Sequence, residues 1–182
     1  QVGIKEVPEG VFSTYANRLL KAGETIMVAP PEGRFKYENS GKGQRLVAFA
    51  AGSGITPIMS IIKTALSDHK DSSVYLVYGN KTPEDTLFYE ALKELQGKYG
   101  DRLIIKWVFS RSNITDSFFG RIEAPIVKNT LTQLEQNIDK FYLCGPEGMI
   151  QSVSDTLVEK GVDSAKILFE LFTSSSEAPK EI

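Results

Sequence analysis

The stretch LVAFAAGSGITPIMSIIKTAL, residues 46–66, decides the fold class of this chain. It opens with an apolar, strand-like run at 46–50 and then turns at Gly52 and Gly54. Apolar residues follow at the spacing of an amphipathic helix, namely Ile58, Ile61, Ile62, Ala65 and Leu66. A strand that passes through a tight turn into a helix is the first half of a βαβ unit.

The same alternation continues along the chain to Leu171. Short β-branched or aromatic runs predict further strands at 74–79, 103–110, 141–144 and 166–171. Apolar stripes predict the intervening helices, the first carrying Leu87, Phe88, Ala91, Leu92 and Leu95, the second near 125–136, and the third carrying Met149, Ile150, Val153, Leu157 and Val158. We therefore predict an α/β fold with a doubly wound, five-stranded parallel sheet, whose ligands bind outside the carboxyl ends of the strands.

Both ends of the chain differ from this pattern. Residues 1–40 predict one short helix at about 14–22 and a β-like TIMVAP run at 25–30, which together are too small to form a core. The polar segment 173–181 has the composition of a linker. Because position 1 is glutamine, we expect the chain to be a piece of a longer protein.

Composition excludes several classes of function. The 182 residues include 21 Lys and Arg against 23 Asp and Glu, so no basic excess attracts nucleic acid or an anionic membrane. No apolar run is long enough to span a bilayer. The single cysteine, Cys144, and the single histidine, His69, cannot supply a zinc site or an internal disulfide. We therefore expect a cytoplasmic protein without a metal site.

The glycine-rich turn is the first candidate ligand site. Gly52 and Gly54 let the backbone approach a ligand just ahead of a helix, where free N–H groups and the helix dipole favour a phosphate. A tight turn with only a structural role remains the alternative.

The ends of the second and third strands offer a second candidate. Asn80 and Lys81 follow one strand, and Ser110 and Arg111 follow the other, where the 2′-phosphate of a nucleotide would lie. Solvated surface charge is the alternative for these residues, and for Lys81 in particular.

The fourth strand ends in CGPEGM, which places the Cys144 thiol at the edge that faces the crevice. A lone cysteine is commonly a small buried apolar residue, and this is the alternative here. No histidine is available to activate the thiol as a nucleophile, because His69 lies in a polar loop.

The motifs AAGSGITP, YGN, FSR, CGPEGM and FELF, in this order and spacing, resemble the NAD(P)-binding domain of the ferredoxin-NADP reductase superfamily. Over residues 1–172 the chain is similar in particular to the reductase components of phenylacetyl-CoA oxygenases and related ring-hydroxylating systems. The resemblance implies a ferredoxin reductase-like nucleotide domain at 41–172, with a polar tail or linker at 173–182.

The resemblance also implies roles for individual residues. The cofactor pyrophosphate would bind Gly52, Ser53, Gly54, Ile55 and Thr56, beside Pro57. The nicotinamide would lie beside Cys144, with Gly145 and Pro146. Glu170 and Phe172 would approach the flavin and the nicotinamide as the remaining catalytic positions.

Residues 1–40 resemble the C-terminal remnant of the family's FAD-binding β-barrel. The flavin pyrophosphate would bind the turn and helix start formed by Gly10, Phe12, Ser13 and Thr14, and Gly33 and Phe35 match the close of the barrel. The upstream Arg-x-Tyr-Ser/Thr motif of that barrel is absent from the sequence. We therefore expect this chain alone to bind FAD weakly and to be inactive.

The function implied is electron transfer. The whole protein would pass a hydride from NADPH or NADH, with NADPH slightly preferred, to FAD and then electrons to a ferredoxin-like iron–sulfur domain or an oxygenase component. The tail resembles a linker to a [2Fe–2S] module, although no cysteine quartet stands in this sequence. The alternatives are a stand-alone ferredoxin or flavodoxin reductase, a flavohaemoglobin-type reductase, and a nucleotide-binding regulatory domain without redox turnover.

Overall fold

A computed structural model describes residues 2–30, 32–134 and 137–171 of the chain. Its strands are β1 (Arg45–Ala51), β2 (Ser73–Asn80), β3 (Leu103–Phe109), β4 (Ser117–Phe119), β5 (Lys140–Gly145) and β6 (Ile167–Leu171). Its α-helices are α1 (Val11–Thr14), α2 (Ile55–Asp68), α3 (Tyr89–Tyr99), α4 (Ala124–Gln133) and α5 (Glu147–Glu159).

The strands form one parallel sheet in the order β4-β3-β2-β1-β5-β6. The chain winds outward from β1 through β2, β3 and β4, and then returns to build β5 and β6 on the other side of β1. The predicted α/β class and doubly wound parallel sheet are confirmed. The reversal of direction between β1 and β5 is the point where such sheets open a crevice beyond their carboxyl ends.

The predicted count of five strands is wrong, because the sheet has a sixth strand, β4. This strand pairs with β3 over three residues only, from Trp107 opposite Ser117 to Phe109 opposite Phe119. Three residues are too few to show an alternating pattern, and the surrounding sequence is polar. The pairing depends on β3 being in place, so local sequence does not reveal it.

The core consists of two apolar layers, one on each face of the sheet. Alternate residues of β1 point to opposite faces, so Ala48 packs in the layer with α2 and α3 while Phe49 packs in the layer with α4 and α5. The predicted stripe of α2 is buried along its whole length, in Ile58, Ile61, Ile62, Ala65 and Leu66. The helices thus cover both faces, as a parallel sheet requires.

Three predicted elements differ from the structure. The first helix spans 11–19, with a π-helical turn at Tyr15–Leu19, instead of 14–22. The TIMVAP run forms no strand, since no neighbouring strand pairs with it, and Met27 is fully exposed. Leu87 and Phe88 precede α3 instead of lying within it, because the backbone of Phe88 adopts a left-handed conformation with φ 60°.

Other predictions reach beyond the described residues. The helix predicted near 125–136 ends earlier, at Gln133, because the backbone of Leu134 is extended; residues 135 and 136 lie outside the described ranges. The tail at 173–182 and Phe172 also lie outside the described residues. In the ranges that are described, no helix is both long and apolar enough to cross a membrane.

Candidate functional site

The ends of β1 and β5 form the centre of the candidate site. The two strands are neighbours in the sheet, with Ala50 opposite Cys144. The glycine-rich turn leaves β1 and the CGP turn leaves β5 at the same edge, so the fold brings together the two predicted motifs at the crevice.

Gly54 and Gly145 mark the closest approach of the two turns. A Cβ at Gly54 would clash with the carbonyl group of Cys144 and lie 2.8 Å from the backbone nitrogen of Gly145. A Cβ at Gly145 would lie 3.2 Å from the backbone nitrogen of Ala51. Glycine at both positions therefore lets the strand ends pack backbone against backbone.

Gly52 gives the turn its direction. Its φ of +55° lies in the left-handed region, and the space where a Cβ would stand is open. The turn at Gly52–Gly54 leads directly into α2, where the Thr56 hydroxyl donates to the Ser53 carbonyl oxygen at 3.0 Å. The first amides of a helix lack intrahelical acceptors, so this open turn is suited to a phosphate group.

Asn80, Lys81, Ser110 and Arg111 form a second group, which we call the strand-end cluster. The backbone N–H of Ser110 donates to the Asn80 carbonyl at 3.0 Å, and that of Arg111 to the Lys81 carbonyl at 2.9 Å. The pairing of β2 and β3 thus continues past their ends and brings all four residues together.

The charges of the strand-end cluster are available to a ligand. Lys81 and Arg111 are exposed, and among the described residues neither makes an ion pair, including with Asp116. The Asn80 side chain lies beside the Tyr78 hydroxyl, and its nitrogen, Nδ2, is buried without a hydrogen-bond partner within the same ranges. A buried donor without a partner is a position where a ligand oxygen fits.

Cys144 lies at the carboxyl end of β5 but is completely buried, in the core layer beneath α2. Burial raises the pKa of its thiol to about 12, and the nearby charge of Glu170, its partner on β6, adds to the effect. The thiol therefore stays protonated at neutral pH. Pro146 follows as the residue that caps α5.

The N-terminal candidate turn, residues 7–14, is stabilised by hydrogen bonds between its own residues. The Ser13 hydroxyl accepts from the Val7 backbone N–H at 3.2 Å and donates to the Gly10 carbonyl at 3.3 Å. Thr14 donates its backbone N–H to the same Gly10 carbonyl, while the Phe12 side chain is 57% exposed. Gly33 adopts a φ of +139° in open space, and Phe35 packs against Tyr142 of the sheet.

Two site residues, Tyr78 and Gly3, were missed by sequence reasoning. The hydroxyl of Tyr78 lies against the glycine-rich turn, 2.9 Å from the Gly52 carbonyl oxygen. Gly3 packs against Thr56 and the ring of Phe88, which brings the N-terminal segment next to the same turn. No sequence signal identifies these contacts, because each joins segments that are distant along the chain.

The described residues fit a dinucleotide. The left-handed Gly52 leaves an open cradle that a Cβ would fill, and the unpartnered Asn80 nitrogen lies at the adjacent strand end. In the described ranges, no three His, Cys, Asp or Glu side chains gather in a way that could hold a metal ion.

Comparison with protein families supports this assignment of the crevice. Residues 49–155 match the family model described as the oxidoreductase NAD-binding domain. That range begins in β1 and ends within α5, so it contains the glycine-rich turn, the strand-end cluster and the CGP turn.

Individual proteins are similar over nearly the whole chain. The chain is 34% identical to a component of the 1,2-phenylacetyl-CoA epoxidase of Escherichia coli, over 95% of this chain and 50% of that protein. It is 31% identical to the ferredoxin reductase component of the 3-ketosteroid-9-alpha-monooxygenase of Rhodococcus rhodochrous, over 98% and 48% of the two chains. The chain thus spans about half the length of these curated relatives.

A solved structure shows the same architecture. The CS-b5R domains of human Ncb5or, in the NAD+ form, superpose with a TM-score of 0.80 at 28% identity. The match covers 91% of this chain and 47% of that one.

Proposed function

Because the chain belongs to the oxidoreductase NAD-binding domain family of the ferredoxin-NADP reductase superfamily, we propose that it is the NAD(P)H-binding part of a flavin reductase. When bound, the nicotinamide and flavin supply the hydride and single-electron chemistry, and the residues of this chain bind and align them. The observation that carries this proposal is the open glycine-rich turn at the crevice between β1 and β5.

The glycine-rich turn would hold the cofactor pyrophosphate. The residues in contact would be Gly52, Ser53, Gly54, Ile55 and Thr56, with Pro57 in the next position. Support comes from the left-handed Gly52, from the open space beside it, and from the position of the turn directly before α2.

The CGP turn would border the nicotinamide. Since Gly54 packs directly against Cys144, a nucleotide on the glycine-rich turn would extend toward Cys144, Gly145 and Pro146. The protonated Cys144 thiol would act as a packing neighbour of the reacting ring, with Glu170 as an orienting group. Phe172 is proposed for the same role as Glu170, on the strength of the sequence motif alone.

FAD would contact this chain at its N-terminal turn. This chain would contribute Gly10, Phe12, Ser13 and Thr14, the turn and helix start that we propose contact the flavin pyrophosphate. We further propose the division of the chain into a barrel remnant at 1–40, a nucleotide domain at 41–172 and a linker at 173–182.

We propose an iron–sulfur domain or an oxygenase component as the electron acceptor. Support comes from the two curated relatives, one named as part of an epoxidase and the other as the ferredoxin reductase component of a monooxygenase. We propose that this acceptor is a [2Fe–2S] module linked through residues 173–182, because that segment has the polar composition of a linker.

We propose that NADPH is slightly preferred over NADH. The strand-end cluster presents the exposed cations Lys81 and Arg111, which suit the 2′-phosphate of NADPH. Ser110 adds a hydroxyl beside them, and residues 81–83, between the end of β2 and Glu84, include no carboxylate that would accept the ribose hydroxyls of NADH.

The test is binding of NADP+ and NAD+ to this chain by isothermal titration calorimetry, in the wild type and in Gly52→Ala. An alanine at φ +55° is strained and its Cβ occupies the open cradle, so affinity should fall by about tenfold or more. Absence of binding of either nucleotide to the wild type would overturn the proposed function.

Gly100→Ala is the matched control. Gly100 has a φ of +56°, has open space where a Cβ would stand, and precedes β3 at the opposite edge of the sheet. Its variant should also be strained by the positive φ, yet bind nucleotide within about twofold of the wild type. Equal loss of affinity in both variants would point to strain and not to a nucleotide at Gly52.

A further inference from the structure

Tyr78 is buried at the site, although no ligand contact is assigned to it. It lies near the end of β2, its side chain is 0% exposed, and its ring is 6.0 Å from that of Trp107. Its hydroxyl lies 2.9 Å from the Gly52 carbonyl oxygen and 3.3 Å from that of Leu87. The Tyr78 hydroxyl proton is thus shared between a carbonyl of the glycine-rich turn and a carbonyl of the loop that precedes α3.

The bond to Gly52 determines where the next amide points. The peptide between Gly52 and Ser53 is trans, so its C=O and N–H groups point in opposite directions. Because the Gly52 carbonyl is directed at the Tyr78 hydroxyl, the N–H of Ser53 is directed away from that hydroxyl.

The Gly52 carbonyl also accepts from a backbone amide. The Ile55 N–H is shared between the carbonyls of Gly52 and Ser53, so its hydrogen bond to each of them is weakened. Tyr78 is the side-chain donor, and burial raises the pKa of its hydroxyl far above the ordinary value, so it keeps its proton. Glycine has low barriers to rotation of its peptide planes, so an anchor matters at this position.

We propose that Tyr78 is a positioning residue for the phosphate site: its hydroxyl holds the Gly52 carbonyl inward and thereby presents the Ser53 N–H to the nucleotide pyrophosphate. This inference rests on the proposed function, because it requires a dinucleotide on the glycine-rich turn. Without the hydroxyl, the Gly52–Ser53 peptide can rotate, and its carbonyl oxygen would then face and repel the phosphate.

The experiment compares Tyr78→Phe with the wild type and with Tyr142→Phe. Tyr142 is also a buried tyrosine, but its hydroxyl donates to the Lys36 carbonyl at 3.3 Å, away from the glycine-rich turn. ADP-ribose is the probe, because it carries the pyrophosphate without the nicotinamide. Its Kd is measured by calorimetry, and the Ser53 amide is followed by ¹⁵N NMR.

We expect Tyr78→Phe to raise the Kd for ADP-ribose by about fivefold, the typical effect of one lost hydrogen bond. Tyr142→Phe should stay within about twofold of the wild type. In the wild type, the Ser53 amide should be among the signals that shift most on binding, and this shift should shrink in Tyr78→Phe at saturation.

The remaining outcomes distinguish the role of Tyr78 from the proposed function. A wild type that binds no ADP-ribose would overturn the proposed function and this inference with it. A wild type that binds, with Tyr78→Phe binding equally well, would remove the role of Tyr78 and leave the site in place. If Tyr78→Phe does not fold, the wild-type spectrum decides, since an unmoved Ser53 amide would refute the orientation of that peptide.

Discussion

At the scale of single residues, we expect the strand-end cluster to determine the preference for NADPH over NADH. Its four members are separated into two pairs along the sequence, yet backbone hydrogen bonds join Ser110 to Asn80 and Arg111 to Lys81. Arg111 is better suited than Lys81 to bind a phosphate, because a guanidinium can form two parallel hydrogen bonds to it while an ammonium acts as a point charge.

Arg111→Ala should change the affinity for NADP+ and leave that for NAD+ nearly unchanged. In the wild type we expect NADP+ to bind about tenfold more tightly than NAD+, because charge-assisted hydrogen bonds to the 2′-phosphate are weakened by exposure but not abolished. The variant should lose about this factor for NADP+ only. Calorimetric titration of both nucleotides measures it directly.

Lys70→Ala is a suitable control, since it removes an exposed cation from the loop after α2, away from the strand-end cluster. It should leave both affinities unchanged. Equal affinities of the wild-type chain for NADP+ and NAD+, or a parallel loss of both in Arg111→Ala, would contradict the assignment of the 2′-phosphate site.

At the scale of elements, the segment that enters β1 is attached to the nucleotide domain. Phe35 makes an edge-to-face contact with Tyr142 at a centroid distance of 5.5 Å, and the Gln44 side chain donates to the Glu38 carbonyl at 2.7 Å. Tyr37 packs against the same core layer. Residues 35–38 therefore stabilise the α/β unit even though the sequence motif relates Phe35 to the barrel.

Phe35→Ala should lower the free energy of unfolding by about 1–3 kcal/mol, from lost aromatic contact and apolar burial. Phe12→Ala, which removes a side chain that is 57% exposed, should change it by less than about 0.5 kcal/mol. Urea denaturation of both variants tests the difference. Equal stabilities would show that the segment 35–38 is not part of the folded unit.

Secondary structure was largely predictable at this scale. Strand and helix periodicities are local, so the buried stripe of α2 and the runs of β1, β2 and β3 could be identified from spacing alone. The left-handed Phe88 and the start of α3 after it could not, because an aromatic residue has no intrinsic preference for that conformation.

At the scale of the whole molecule, the N-terminal segment lacks a core of its own. Val11, Met27 and Val28 are 88%, 100% and 79% exposed, and no strand forms among the described residues before Arg45. The Ser13 hydroxyl is occupied by bonds within its own turn. This segment therefore offers a flavin very few contacts.

We expect the purified chain to be colourless and to bind added FAD with a Kd weaker than about 100 μM, since one short turn supplies few of the contacts that a tight ligand needs. Absorbance at 450 nm after gel filtration with excess FAD measures it. A stoichiometric yellow complex that survives the column would show that residues 1–40 offer a flavin enough contacts for tight binding, and would contradict this expectation.

The sequence by itself determined the class of the fold and the location of the glycine-rich turn. Alternating strand and helix periods are set by neighbouring residues, and the junction of a strand, two glycines and a helix is a local pattern. The family resemblance likewise rests on the order of short motifs, and the match over residues 49–155 confirms it.

The tertiary structure alone decided how these pieces meet. The pairing of β4 with β3, the packing of Gly54 against Cys144, and the bond from Tyr78 to Gly52 each join segments that are distant in sequence. Such contacts depend on the strand order of the sheet and on the side of β1 to which the chain returns. Neither feature can be predicted from periodicity or local propensity.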